Sequence, residues 1–261
     1  MFKAFILVLT ILSFSLLAGD NIQNFSYGQV NWTKQLIIVT GSGAPGLNAK
    51  SPSQARLMAE RAAKMDAYRN ALEVIKGLKI TSKLTFEKAM EGDKTIYTQI
   101  QGIIKGIKIL NKKYYDDGGV DVILRIPLSG ILPVEKYLSK KQPQIKSGKE
   151  KKYTALIVNL LNFKYDKVLL PKIISESGKI VYSADFVKKE KLKKNIMVKY
   201  YKNLDEAKKI AGDSPLIVNA KSLSSKDKST VIISDADASL MLNGKINLDF
   251  LKEANVIFIT K

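Results

Sequence analysis

The sequence predicts an α+β fold in two α/β-type parts, the first with two helices on one face of a mainly antiparallel sheet. Three observations predict it. Two alternating strand-like runs flank an Asp-Gly turn; a long, capped, alanine-faced helix precedes them; and a basic linker separates this part from a second set of short apolar runs and short helical segments.

The first part opens with VNWTKQLIIVTGSGAPG, where Val30 and Trp32 alternate with polar neighbours and Leu36 to Val39 is apolar throughout. It reads as a strand ending in a Gly-rich turn. Ser51 is a good N-cap, with Pro52 at the first helical position and Gln54 at the third. The helix should run to about Lys76 and stop at Gly77. Its inner face is Ala55, Ala59, Ala62, Ala63, Ala67 and Ala71, then the larger Val74, Ile75 and Leu78. Small side chains let a helix lie close to a sheet. A strand is expected from Ile80 to Phe86, a helix from Lys94 to Ile104, and strands at Ile107 to Tyr115 and Val120 to Pro127. Asp116-Asp117-Gly118-Gly119 between the last two is a hairpin signal. The domain is therefore expected at 28–138.

Residues 139–152 (SKKQPQIKSGKEKK) have Ile145 as their only aliphatic side chain and read as a linker. The second domain, 153–261, should begin with a buried strand at Tyr153 to Leu161. A hairpin follows around Glu176-Ser177-Gly178, with strands Lys172 to Ser175 and Lys179 to Ser183. Leu204 to Ala211 is helical, Leu216 to Ala220 and Val231 to Ser234 are strands, Asp237 to Leu242 and Leu248 to Ala254 are short helices, and Asn255 to Thr260 is a closing strand.

The chain begins as an export signal over residues 1–19. Lys3 precedes Ala4 to Leu17, an uncharged run too short to span a ~30 Å hydrocarbon core, which needs about 20 residues. Ala18-Gly19 supplies small residues for cleavage. An uncleaved anchor is the alternative, because cleavage there leaves Leu16 or Leu17 at the −3 position. With no cysteine at the cleavage point, lipid anchoring by that route is not expected. No later run is apolar enough to cross a membrane, so no transmembrane segment is expected after cleavage.

The 261 residues contain no cysteine and no histidine. That excludes disulfides, thiol nucleophiles, Ser-His-Asp triads and the usual zinc sites. A carboxylate-only enzyme such as a glycosidase stays compositionally open, and needs two carboxyls about 5–10 Å apart across a cleft. The net charge is +19, with 43 basic and 24 acidic residues, and only Arg56, Arg61, Arg69 and Arg125 are arginine. Lysine gives a diffuse positive field; arginine is the residue for bidentate phosphate and base recognition. In an exported chain that field suits an anionic envelope surface better than nucleic acid. The plainer reading is a compositional habit of the source or heat tolerance.

Gly41-Ser42-Gly43-Ala44-Pro45-Gly46 matches G-x-G-x-x-G after a strand and before a helix. It is not read as a dinucleotide site. The helix start at Ser51 falls five residues after Gly46, Pro45 removes an N–H donor, and the acid twenty residues on, Asp66, lies inside the helix. Asp66 should pair with Arg69 or a backbone donor. Ser234-Asp235-Ala236-Asp237 lacks the oxygens and the glycine of a calcium loop and reads as a helix N-cap. Asp116 and Asp117 are turn residues. Tyr114-Tyr115 and Tyr200-Tyr201 beside lysines could stack on bases or sugars, but read better as half-buried edge residues. No catalytic, cofactor-binding or metal-binding residue is assigned, and no cofactor is expected.

The segment ARLMAERAAKMDAYRNALEVIKG carries Ala59, Ala62, Ala63, Asp66, Ala67, Arg69, Ala71, Leu72, Glu73 and Gly77 in the order A-x-x-A-A-x-x-D-A-x-R-x-A-L-E-x-x-x-G. Together with Trp32, the Gly41-Ser42-Gly43 turn and the Tyr114-Tyr115-Asp116-Asp117-Gly118 hairpin, it resembles the LPP-twenty-type lipoprotein family over about residues 30–130. The N-terminal part of flagellar assembly protein T is related to that family. The resemblance implies a small exported α/β domain without enzymatic activity, and does not extend to 151–261. The expected function is therefore a non-enzymatic cell-envelope protein acting by protein or surface contacts in envelope or flagellar assembly. The alternative is a lysine-rich binding module for an anionic envelope polymer or lipid surface. The expected partners are envelope proteins, the flagellar basal body among them, or an anionic envelope surface. The expected place is the periplasm, peripherally at the outer membrane.

Overall fold

In the computed structural model, residues 19–132, 134–139 and 148–261 are described. Residues 1–18 of the expected signal segment and 140–147 of the basic linker lie outside these residues. The fold is α+β. Strands β1 (Ile22–Phe25), β2 (Gly28–Asn31) and β3 (Leu36–Gly43) lead into α1 (Pro52–Gly77). Helices α2 (Phe86–Gly92) and α3 (Lys94–Gly106) follow, then strands β4 (Ile109–Tyr114) and β5 (Val120–Pro127). The sheet order is β1-β2-β3-β5-β4, antiparallel throughout. Helix α1 lies on β3 and β5, and α2 and α3 pack against α1.

Helix α1 begins as its cap chemistry requires. The Gln54 N–H donates to Ser51 Oγ at 3.2 Å, and the Lys50 N–H donates to Gln54 Oε1 at 2.6 Å. Ala59, Ala63, Ala67 and Ala71 are fully buried at a spacing of four, the period of one helix face. Ala55 is only half-buried and Ala62 is exposed, so the inner stripe is narrower than expected.

Gly41 and Gly43 belong to β3, which corrects the expected Gly-rich turn at that point. They face α1 so closely that a Cβ on Gly41 would stand 2.0 Å from the Ala67 nitrogen, and one on Gly43 2.2 Å from the Ala59 oxygen. The glycines and alanines are two sides of one backbone-to-backbone approach. The expected opening strand is two strands, β2 and β3, joined at a turn where Gln35 has φ 57°. The expected strand at Ile80 to Phe86 is absent. The Ile80 and Thr81 N–H groups both donate to the Leu84 carbonyl, at 2.8 and 3.2 Å, which closes a tight loop. Thr85 then caps α2, with its Oγ accepting from the Lys88 N–H at 3.3 Å.

The second half comprises β6 (Leu156–Asn159), β7 (Lys172–Ser175), β8 (Ile180–Tyr182), α4 (Lys189–Lys194), β9 (Lys199–Tyr201), α5 (Leu204–Ala211) and β10 (Leu216–Asn219). It continues through β11 (Ser222–Leu223), β12 (Thr230–Ile233), α6 (Asp235–Leu242), α7 (Asp249–Lys252) and β13 (Val256–Ile259). One sheet, β10-β6-β13-β9, is parallel throughout. The other, β11-β12-β7-β8, is mixed. The short elements α2, α4, β9 and β11 had no expectation of their own.

The last residues expected as linker are paired rather than free. The Gly148 N–H donates to the Ile246 carbonyl at 2.7 Å, and the Glu150 N–H to that of Lys245 at 3.1 Å. A single apolar cluster runs through both halves, including Trp32, Ile37 and Leu124 from the first and Tyr165, Tyr200 and Phe258 from the second. A smaller cluster, with Ile157, Ala207, Ala211 and Ile257, lies beneath α5. Among the described residues no helix is long and apolar enough to cross a membrane.

Candidate functional site

The seam between the halves builds a cleft. Leaving α1, the chain buries Leu78 and Ile80, so residues 79–80 run along the second half. There the Leu169 N–H donates to the Lys79 carbonyl at 3.1 Å and the Leu170 N–H to that of Ile80 at 2.8 Å. Lys79 also pairs with Asp166 at 2.8 Å. These contacts hold Thr81, Ser82 and Lys83 above the outer face of the mixed sheet. The open cleft has a volume of about 560 Å³. Its floor is Lys172 and Ile174 of β7, Ile180 of β8 and Thr230 of β12; its far wall is the 224–229 loop. Neither half alone makes it.

The cleft has one carboxylate, Asp227, which the chain already uses. It accepts from the Ser229 and Thr230 N–H groups at 3.1 and 2.6 Å and from their hydroxyls at 3.3 and 3.2 Å. Lys83, Lys172 and Lys226 are exposed, and none has a carboxylate partner among the described residues. Three lysines thus line a hollow with a single carboxylate, which is hydrogen-bonded to its own loop. Sequence reading did not single out these lysines. They come from three distant segments, and the only trace of them was the overall positive charge.

The residues that sequence did single out lie elsewhere. Asp66 takes both partners expected of it: Arg69 at 2.5 Å and, across to β3, the Ser42 N–H at 3.0 Å. It therefore ties α1 to the sheet. Ser234 caps α6, with its Oγ accepting from the Asp237 N–H at 3.0 Å. Asp235 accepts from the Ser177 hydroxyl at 2.7 Å, which holds its carboxyl below the usual range. Asp117 accepts from the Gly119 N–H at 2.8 Å in the hairpin turn.

The two tyrosine pairs form no common surface. Tyr114 and Tyr115 are exposed at the edge of the first sheet, with Arg56 5.4 Å over one ring and Lys113 4.6 Å over the other. Tyr200 is fully buried, which corrects the half-buried edge position expected for it; Tyr201 is half-buried.

Among the described residues, every carboxyl with a displaced pKa is pushed down. Lys34 does this to Asp20, Lys112 to Glu60 and Lys136 to Asp93. Lys252 does so to Asp249 and Lys188 to Glu253, while the Ser42 hydroxyl does so to Asp121.

The fold and the cleft describe an α+β chain with a lysine-rich hollow at the seam of its two halves. Residues 155–261 match the family described as Treponema pallidum Tp0624, second domain. No curated protein matches the chain.

Proposed function

We propose that this chain is a non-enzymatic exported cell-envelope protein, of the LPP-twenty type in its first half, acting through contacts with envelope proteins in envelope or flagellar assembly. The observation that carries the reading is how the motif residues are spent. The alanines seat α1 on β3, and Asp66 joins that helix to the same strand. The motif thus maintains an architecture and leaves no side chain over for chemistry. The match of residues 155–261 to a unit described as a second domain supports a chain of two parts. The place of action is the periplasm, peripherally at the outer membrane. Fractionation of native cells tests it: the processed chain should appear in the envelope or periplasm, and full-length chain in the cytosol would overturn the proposal.

The cleft favours a second reading, a binding module for an anionic envelope polymer. Its three lysines without carboxylate partners among the described residues are the specific support. Binding of this kind weakens steeply as salt is raised.

A further inference from the structure

We infer that the cleft between the 81–83 loop and the mixed sheet binds an anionic glycan, a chain of hydroxylated rings carrying carboxylate or phosphate groups. This deepens the reading of the chain as a binding module for an anionic envelope polymer and rests on it.

The lining selects that chemistry. Lys83, Lys172 and Lys226 converge on one hollow from three segments of chain. Lysine is a flexible point charge with three donors, so it meets an anion at varied angles without the planar register that arginine imposes. Beside the lysines stand the half-buried Thr81, Ser82 and Ser224, while the hydroxyls of Ser229 and Thr230 donate to Asp227. A hydroxyl both donates and accepts, as a sugar hydroxyl does. Ile174 and Ile180 on the floor offer an aliphatic surface to the C–H face of a ring. Asp227 would repel an anion if it were free, but four donors from its own loop already spread its charge.

An acidic peptide fits less well. Peptides recognised by sheets add to an open edge and take main-chain hydrogen bonds. The cleft lies over the face of β7, whose ladder positions are taken by β12 on one side and β8 on the other. A peptide there would find side chains and no ladder. The volume of about 560 Å³ lies within the range of specific ligand sites.

The test is calorimetric titration of the purified chain with one polymer backbone in three forms, carboxymethyl-dextran, dextran phosphate and plain dextran, beside poly-L-glutamate. Binding of either charged dextran, with plain dextran inert, is the expected result, and the tighter of the two assigns the anion. Lys83→Gln, Lys172→Gln and Lys226→Gln together should weaken that binding by about tenfold or more. Lys50→Gln, Lys208→Gln and Lys209→Gln remove the same charge from exposed positions elsewhere and should leave it within about twofold. Equal losses in the two triple variants would reduce the effect to a diffuse field and overturn the inference. Tighter binding of poly-L-glutamate, or no binding of either charged dextran, would overturn it too. Amine acetylation of the unmutated chain reads the same site independently: whichever of carboxymethyl-dextran and dextran phosphate binds more tightly should protect Lys83, Lys172 and Lys226, and their continued reactivity in that complex would refute the assignment. Failure here leaves the envelope location untouched, and a cytosolic location leaves the binding result untouched.

Discussion

Trp32 meets Tyr200 edge-on across the seam, with ring centroids 5.2 Å apart and planes at 73°. Tyr200 in turn meets Phe258 at 5.9 Å, and Tyr165 meets Phe258 at 5.5 Å. The Thr33 hydroxyl donates to the Tyr200 carbonyl at 3.0 Å beside them. The two halves are therefore joined by the most expensive kind of contact to lose, a fully buried aromatic one.

Trp32→Ala tests that joint. Truncating a buried tryptophan costs about 3–5 kcal/mol. Trp32 sits in the cluster shared by both halves, so the loss should appear in both. In urea denaturation followed by far-UV circular dichroism, the expected outcome is one transition moved to lower denaturant. Two separated transitions, with only the first half weakened, would show that the seam does not couple the halves.

The glycines give a paired test. Gly41→Ala places a methyl 2.0 Å from the backbone of α1, where neither element can yield cheaply. A loss of at least about 1–3 kcal/mol is expected. Gly102 lies within α3, and a Cβ there meets nothing within 4 Å. Gly102→Ala should therefore stabilise by about 0.5–1 kcal/mol through the greater helix propensity of alanine. Thermal melts of the two variants should move in opposite directions.

The contrast between those glycines also shows what was legible beforehand. The alanine stripe of α1, its Ser51 cap and the Asp117-Gly118 hairpin are local patterns, and each element followed from a few neighbouring residues. Asp66 was legible for the same reason, because its arginine lies three residues away. The 80–86 run failed because its N–H groups turn back on the Leu84 carbonyl and the Lys79 and Ile80 carbonyls accept from Leu169 and Leu170, which sequence does not place nearby. The cleft failed likewise. Lys83, Lys172 and Lys226 are ordinary surface lysines until the seam forms, and no spacing along the chain connects them.

Acid should loosen the first half through Asp121 and Glu60. The Ser42 hydroxyl donates to Asp121 Oδ1 at 2.6 Å and the Tyr115 hydroxyl to Oδ2 at 2.6 Å, and both hold its carboxyl low. Lys112, then Tyr114, does the same for Glu60. A carboxyl depressed in the folded state stabilises above its unfolded pKa, and that contribution is lost as pH falls through the folded value. The contribution of these groups to the melting temperature should therefore be complete and flat between pH about 7 and 5, and should decline below about pH 4. Asp121→Asn should flatten part of that acid limb while leaving the neutral plateau with only a small loss.

Alkali should act through three tyrosines. Tyr165, Tyr182 and Tyr200 are buried, and burial pushes all three phenols up from their ordinary value. Each hydroxyl donates to a main-chain carbonyl: Tyr165 to Ser229 at 3.1 Å, Tyr182 to Met197 at 3.0 Å and Tyr200 to Val168 at 2.7 Å. Ionisation would remove the donor and leave a charge in the core. A phenol whose folded pKa is raised contributes stability that is complete below the unfolded pKa and declines as pH rises beyond it, here above about pH 10. In a spectrophotometric titration, Tyr165, Tyr182 and Tyr200 should form a late group that ionises only together with the loss of far-UV signal. Tyr200→Phe should reduce that late group to two and cost about 1–3 kcal/mol at neutral pH, because the Val168 carbonyl is then buried without its donor. Smooth ionisation of all eleven tyrosines in the native protein would contradict the packing of the seam itself.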